Sequence, residues 1–172
     1  MQAVNLRSFK QKVRHNRRRF RVFLSRLEKN PQKELKTMAI AADKLAWAET
    51  DCLSCANCCK TMTPTFKPED IRRISHHLDI SPNAFKKKYL YKDKEGDWMN
   101  TKQPCQFLNL IDNKCSIYEV RPADCSGFPH HDKRKMTDYV HVYKQNVEFC
   151  PATYKWVEKM MELTKTGLGS GN

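Results

Sequence analysis

Four cysteines fall within eight residues, Cys52-Leu-Ser-Cys55-Ala-Asn-Cys58-Cys59, and four more follow at Cys105, Cys115, Cys125 and Cys150. Gaps of two residues let a chain curl so that successive thiolates converge on one centre while intervening backbone N–H groups point at the sulfurs. Three other uses of cysteine fit less well. No secretory signal precedes the cluster, so disulfides are disfavoured in a reducing compartment. Isolated core cysteines do not cluster four to an octapeptide, although any one of Cys59, Cys105 or Cys150 could be such a residue. Thioredoxin-like exchange needs a βαβ context that the sequence lacks. Metal ligation is therefore the expected use.

The spacing also bears on which metal. Cys-x-x-Cys-x-x-Cys is the core of the bacterial ferredoxin ligand run, and Cys150-Pro151 echoes its fourth cysteine. Zinc sites more often use Cys-x-x-Cys pairs set further apart. The expected cofactor is thus an iron–sulfur cluster, 4Fe–4S favoured, or zinc. Eight thiols allow one four-thiolate site with spares, or two such sites. Adjacent Cys58 and Cys59 are expected to face different sites, or one of them to stand behind the ligands.

The chain has 172 residues, enough for one domain with an appendage, and carries a net charge of +13. That charge is uneven. Residues 1–30 hold ten Lys or Arg and the single acid Glu28, so they supply nine of the thirteen net charges. Leu6, Phe9, Val13, Asn16, Phe20, Phe23 and Leu27 recur in steps of three and four, one stripe of a helix in which only Asn16 is polar. Three readings are open for this arm. It packs on the body through its stripe, it contacts phosphate backbones or anionic lipid, or it is a cleaved targeting peptide. No apolar run approaches the roughly 18 residues of a membrane span.

The expected organisation is a basic amphipathic helical arm (1–30), a second helix (31–50), a cysteine-cluster metal-binding domain (51–165) and a flexible tail (166–172). The fold class is mainly α with a small β-hairpin, an irregular metal-stabilised single domain preceded by N-terminal helices. The second helix is expected to turn Leu35, Met38, Ala42, Leu45 and Glu49 to one face, with Trp47 beside it. Pro68-Glu69-Asp70 and Ser81-Pro82 read as helix starts. Lys92 to Asp97 is a charged turn, and the hairpin is placed between Trp98 and Ile117. A last helix opens at Cys150-Pro151 with Tyr154, Val157, Met161 and Thr164 on one side.

Pro104-Cys105-Gln-Phe107-Leu108, then Cys115-Ser-Ile117-Tyr118-Glu-Val-Arg121-Pro122-Ala-Asp-Cys125, then Phe128-Pro129 follow the Cys-x-x-Cys-x-x-Cys-Cys run in order. This combination resembles the YkgJ-type cysteine cluster family, described as a zinc- or iron-chelating domain, over about residues 50–155. The resemblance implies Cys52, Cys55, Cys58, Cys59, Cys105, Cys115 and Cys125 as the family's cysteines, with Cys150 a looser match. It also implies kinship with proteins labelled iron–sulfur oxidoreductases and with relatives linked to flagellin lysine methylation. Cys52, Cys55 and Cys58 are taken as ligands with Cys125 as the fourth, and Cys59, Cys105, Cys115 and Cys150 as a second site.

His76, His77, His130, His131 and His141 are candidate extra ligands or proton carriers, His130 and His131 foremost. Arg121 is expected to pair with a carboxylate such as Asp124, or else to lower the pKa of neighbouring thiols. No G-x-S-x-G or H-E-x-x-H occurs, and no catalytic constellation is visible. The expected function is a cytoplasmic metal-binding protein. The alternatives are an iron–sulfur oxidoreductase-type enzyme, or a nucleic-acid-associated accessory protein using residues 1–30. The expected partners are nucleic acid or a partner protein on that arm.

Overall fold

A computed structural model describes residues 4–31, 33–131 and 135–165. The expected tail, 166–172, lies outside them. In chain order the elements are α1 (Leu6–Lys29), α2 (Leu35–Ala48), α3 (Cys52–Cys55), α4 (Asn57–Thr61), β1 (Thr65–Phe66), α5 (Pro68–His77), α6 (Pro82–Tyr89), β2 (Leu90–Lys92), β3 (Trp98–Asn100), α7 (Ala123–Gly127), α8 (Val140–Asn146) and α9 (Pro151–Lys165). Short 3-10 turns occupy Tyr118–Val120 and Met136–Tyr139. The fold is mainly helical with one small antiparallel sheet, as the sequence indicates. Among the described residues no helix is long and apolar enough to cross a membrane.

Helix ends follow local chemistry. Asn5 caps α1 by accepting the Ser8 N–H at 3.0 Å, and α1 stops at Asn30, before Pro31. Asp51 opens α3 by accepting from the Leu53 and Ser54 N–H groups at 3.0 and 3.3 Å. Pro68 sits in the first turn of α5, and the Ser81 hydroxyl caps α6 by accepting from Ala84 at 3.2 Å.

The chain divides into two compact units, one formed by residues up to Cys55 together with those from Pro129, the other by Ala56–Phe128. The division falls inside the cysteine run.

In the first unit α1 packs on α8 and α9, and α2 lies along α9. Phe9, Val13, Phe20, Leu24 and Leu27 of α1 are buried. The polar member of the stripe finds a partner, since the Asn16 amide donates to the Tyr154 hydroxyl at 2.7 Å. Phe9 and Phe20 meet the Tyr154 ring edge-on. Trp156 is fully buried and donates its indole N–H to the Ala39 carbonyl at 3.0 Å. Each such large side chain contributes about 1.5–3 kcal/mol by leaving water. One expectation for α2 fails: Leu45 is 47% exposed and Glu49 is exposed too. The buried face is Leu35, Met38, Ala39, Ala42 and Ala46, whose small alanines let α2 approach α9 closely enough to receive Trp156.

In the second unit Phe66, Ile71, Ile74, Phe85, Leu90, Phe107 and Ile117 form a separate core, with the Phe85 and Phe107 rings parallel at 6.2 Å. The sheet runs β1-β3-β2, pairing Thr65 with Met99 and Leu90 with Asn100. The hairpin is therefore earlier than expected. It joins β2 to β3 through the charged turn, where the Asp93 carboxylate accepts the N–H groups of Glu95 and Asp97 at 3.0 and 2.9 Å and Gly96 takes φ +91°. Between Trp98 and Ile117 only the β3 residues and an isolated Leu108–Cys115 bridge have strand geometry.

Candidate metal centre

The five cysteines of the second unit, among them Cys58 beside Cys59 on α4, come from four different segments. Cys59 lies on α4, Cys105 on the segment after β3, Cys115 at the isolated bridge and Cys125 on α7. The chain stitches them together. The Cys105 N–H donates to the Cys59 carbonyl at 2.8 Å, and the Ser116 N–H donates to the Phe107 carbonyl at 2.8 Å. Asp70 ties α5 to the start of α7. Its buried carboxylate accepts from Lys67 N at 3.0 Å, from Ala123 N at 3.1 Å and from the Arg73 guanidinium at 2.7 Å. The Asp124 carboxylate accepts from Thr65 N at 3.1 Å, holding α7 to the sheet edge.

The sulfurs feel one another. Burial pushes the Cys125 thiol far up, and Cys59, Cys105, Asp124 and Cys115 add repulsion. Burial also raises Cys105 and Cys115, each with a further contribution from Cys59. Cys59 goes the other way, to about 7: the Cys58 thiol, 3.9 Å away, bonds to it, its own N–H and Lys60 help, and burial opposes. Hydrogen bonds meet the other sulfurs. The buried Asn100 amide donates to Cys105 Sγ at 3.3 Å and accepts from Gln106 Nε2 at 2.9 Å. Backbone N–H groups of Phe107 and Ile117 point at Cys105 and Cys115.

Arg121 does not pair with Asp124. Its guanidinium stacks on Tyr118 at 3.9 Å and donates to the Tyr118 carbonyl at 2.7 Å. From there its charge offsets part of the rise that burial imposes on Cys115.

The first unit holds Cys52, Cys55 and Cys150. Cys52 is exposed, while Cys55 and Cys150 are buried. Cys150 precedes α9, so the Thr153 N–H reaches its sulfur at 3.5 Å, joined by the Thr153 hydroxyl and the Ala152 N–H. Burial pushes this thiol up against those bonds, and Cys55 raises it further. Cys125 thus stands in the field of Cys59, Cys105 and Cys115, and Cys150 in that of Cys55. For these two residues that is the reverse of the sequence assignment. Between Cys55 and Asn57, Ala56 takes φ +45°, a left-handed conformation uncommon for alanine. It separates two helical turns where the two-residue gaps foresaw a curl.

The histidines divide by burial. His76, His77 and His141 are exposed. His130 has φ +67° and its carbonyl accepts from the Tyr143 hydroxyl at 3.0 Å. His131 is buried, with Nδ1 2.7 Å from Asp43 Oδ1 and Nε2 3.1 Å from Thr153 Oγ1, and its ring stacks on Trp156 at 4.5 Å. Thr153 links it to Cys150. Asp43 and Thr153 carry no motif, and nothing in the sequence signals their part. Asn100 was equally silent, a lone polar residue after Trp98-Met99.

Half-buried thiols in one another's field, with N–H groups directed at Cys105 and Cys115, fit a soft thiophilic cation at the centre. Such a thiolate-rich site in a small helical unit defines a metal-chelating cysteine-cluster domain. The chain belongs to the CxxCxxCC family, described as a "Putative zinc- or iron-chelating domain", which matches residues 51–152. It is also similar to the uncharacterized protein MJ0661 of Methanocaldococcus jannaschii, 31% identical over 81 residues. That match takes in 46% of this chain and 43% of the archaeal protein, so the chain spans less than half of that relative. No solved structure matches it.

Proposed function

We propose that this protein chelates zinc or iron through its cysteine thiolates, and that Cys59, Cys105, Cys115 and Cys125 form the principal site, holding an iron–sulfur cluster in preference to a zinc ion. The observation that supports the reading is that these four residues come from four separate segments into one another's field, Cys59 raising the cost of charge on each of the other three. A bound metal supplies the positive charge that this arrangement lacks. Asn100 and the N–H groups of Phe107 and Ile117 orient and stabilise the thiolates, and Arg121 offsets charge at Cys115. Phe107, Ile117 and Phe85 shield the interior face of the site from water. Cys55 and Cys150, with Cys52 on α3, form a second and smaller thiol group.

Purification without oxygen, metal and acid-labile sulfide analysis and an absorption spectrum test this reading. Visible charge-transfer absorption with iron and sulfide supports the cluster. Stoichiometric zinc in a colourless protein removes the cluster and keeps chelation. A chain without metal and with eight titratable thiols overturns the proposal.

A further inference from the structure

We infer that the outward face of α1, with the depression where it meets α8, is a track for single-stranded nucleic acid. The inference stands apart from the metal reading, because neither α1 nor α8 carries a cysteine and α1, unlike α8, lies outside the residues that match the family. The structure decides between the two anionic partners that an Arg-rich amphipathic helix could take. An amphipathic helix that lies in a lipid surface buries its apolar stripe in the membrane. Here Phe9, Val13, Phe20, Leu24 and Leu27 are already buried against the body, and Asn16 is tied to Tyr154. Only the cationic face is left for a partner.

That face is long and regular. Arg7, Lys10, Arg14, Arg18 and Arg21 follow one another at three- and four-residue steps, and all are exposed. They rise about 5–6 Å per cation, on the scale of one nucleotide. Glu148 takes up part of the charge, at 2.9 Å from Arg17 and 3.5 Å from Arg21, and Glu28 bonds Lys144 at 3.0 Å. Among the described residues Arg7, Lys10, Arg14 and Arg18 have no carboxylate partner within salt-bridge distance. Fixed cations without counter-charges favour a polyanion, whose binding releases its condensed counterions.

Arg21 stands between two depressions. One, about 480 Å³, is lined by Arg21, His141, Lys144, Gln145, Glu148 and Phe149. The other, about 280 Å³, runs beside Val22, Ser25, Arg26 and Lys29. The larger one combines Arg21 and Lys144 with the Glu148 carboxylate, the amide of Gln145 and the aromatic side chains of His141 and Phe149. A splayed base stacks on such rings, whereas a duplex keeps its bases inside.

The test uses the full chain as purified, a labelled oligonucleotide of about 12 nucleotides and fluorescence polarisation across a salt series. Binding is expected to weaken with salt at a log–log slope of about −3 to −3.5, the value for four or five single-strand phosphates. The double variant Arg14→Glu/Arg18→Glu, at exposed sites, should bind at least tenfold more weakly with a shallower slope and unchanged circular dichroism and metal content. His141→Ala should cost about fivefold or more while leaving the slope unchanged. Absence of binding at low salt, charge-reversed protein that binds equally well, duplex DNA bound more tightly than the single strand, or preferential binding to phosphatidylserine vesicles would each overturn the inference.

Discussion

The Asn16 amide donates to the Tyr154 hydroxyl at 2.7 Å, joining the one polar position in the α1 stripe to the helix beneath it. Asn16 also reaches the Lys12 carbonyl of its own helix at 3.3 Å. The bond fixes the register of α1 on α9, because a polar amide among Phe9, Val13 and Phe20 is tolerated only opposite that hydroxyl. Asn16→Ala is expected to lower stability by about 1 kcal/mol, read from the urea midpoint at unchanged slope. An unaltered midpoint would show that the bond contributes nothing.

Next to this contact, Glu158 provides a pH dependence. Burial raises its carboxyl above the ordinary 4.5, against the lowering effects of Lys12, the Tyr154 hydroxyl and Lys159, while Glu162 reinforces the rise. A carboxyl whose folded pKa is raised favours folding while protonated. Its contribution is fully present below the unfolded pKa and is lost as pH rises through the folded value. Glu158→Gln should therefore melt higher than the parent at pH 7 and level with it near pH 4. A difference that is equal at both pH values would reject the assignment.

The legible and the illegible parts of this chain separate by the range of the interactions involved. Caps such as Ser81 and breaks such as Asn30-Pro31 are local, and they act where the residues stand. The α1 stripe was legible because its period exceeds the noise of one residue. The α2 face was misplaced because Leu45 and the alanines 39, 42 and 46 compete for it, and only Trp156, 117 positions from Ala39 in sequence, settles the matter. The hairpin was shifted because a turn made of Lys, Asp and Glu reads as solvent-exposed charge until Asp93 is seen to close it. Among the cysteines the identity of the candidates was plain. Their grouping is not written in the spacing, because a contact such as the Cys105 N–H on the Cys59 carbonyl is long-range and ligand spacing does not encode it.

Asp70 tests that packing. Its side chain, 2% exposed, answers two backbone N–H groups and Arg73, which in turn donates to the Arg121 carbonyl at 2.9 Å. Asn in its place turns one acceptor into a donor facing an N–H and takes away the negative charge that faces Arg73. Asp70→Asn should destabilise the protein by about 2–3 kcal/mol and weaken metal retention at Cys125, two residues beyond Ala123. Full stability with full metal content would show that α7 is placed by other contacts.

Serine variants distinguish the two thiol groups. Serine preserves the shape of cysteine but does not give up its proton to a metal near neutral pH, so each replacement removes one ligand with little change in packing. Cys59→Ser, Cys105→Ser, Cys115→Ser and Cys125→Ser should each abolish or sharply reduce metal at the principal site, and chelator treatment of the parent should mimic them and lower its melting temperature. Cys150→Ser should leave that metal in place and alter only what Cys55 shares with it. Metal content and labile sulfide, measured per chain after anaerobic purification, decide the matter. Loss of all metal from Cys150→Ser, with Cys125→Ser unaffected, would reverse the grouping and return Cys150 to the principal site.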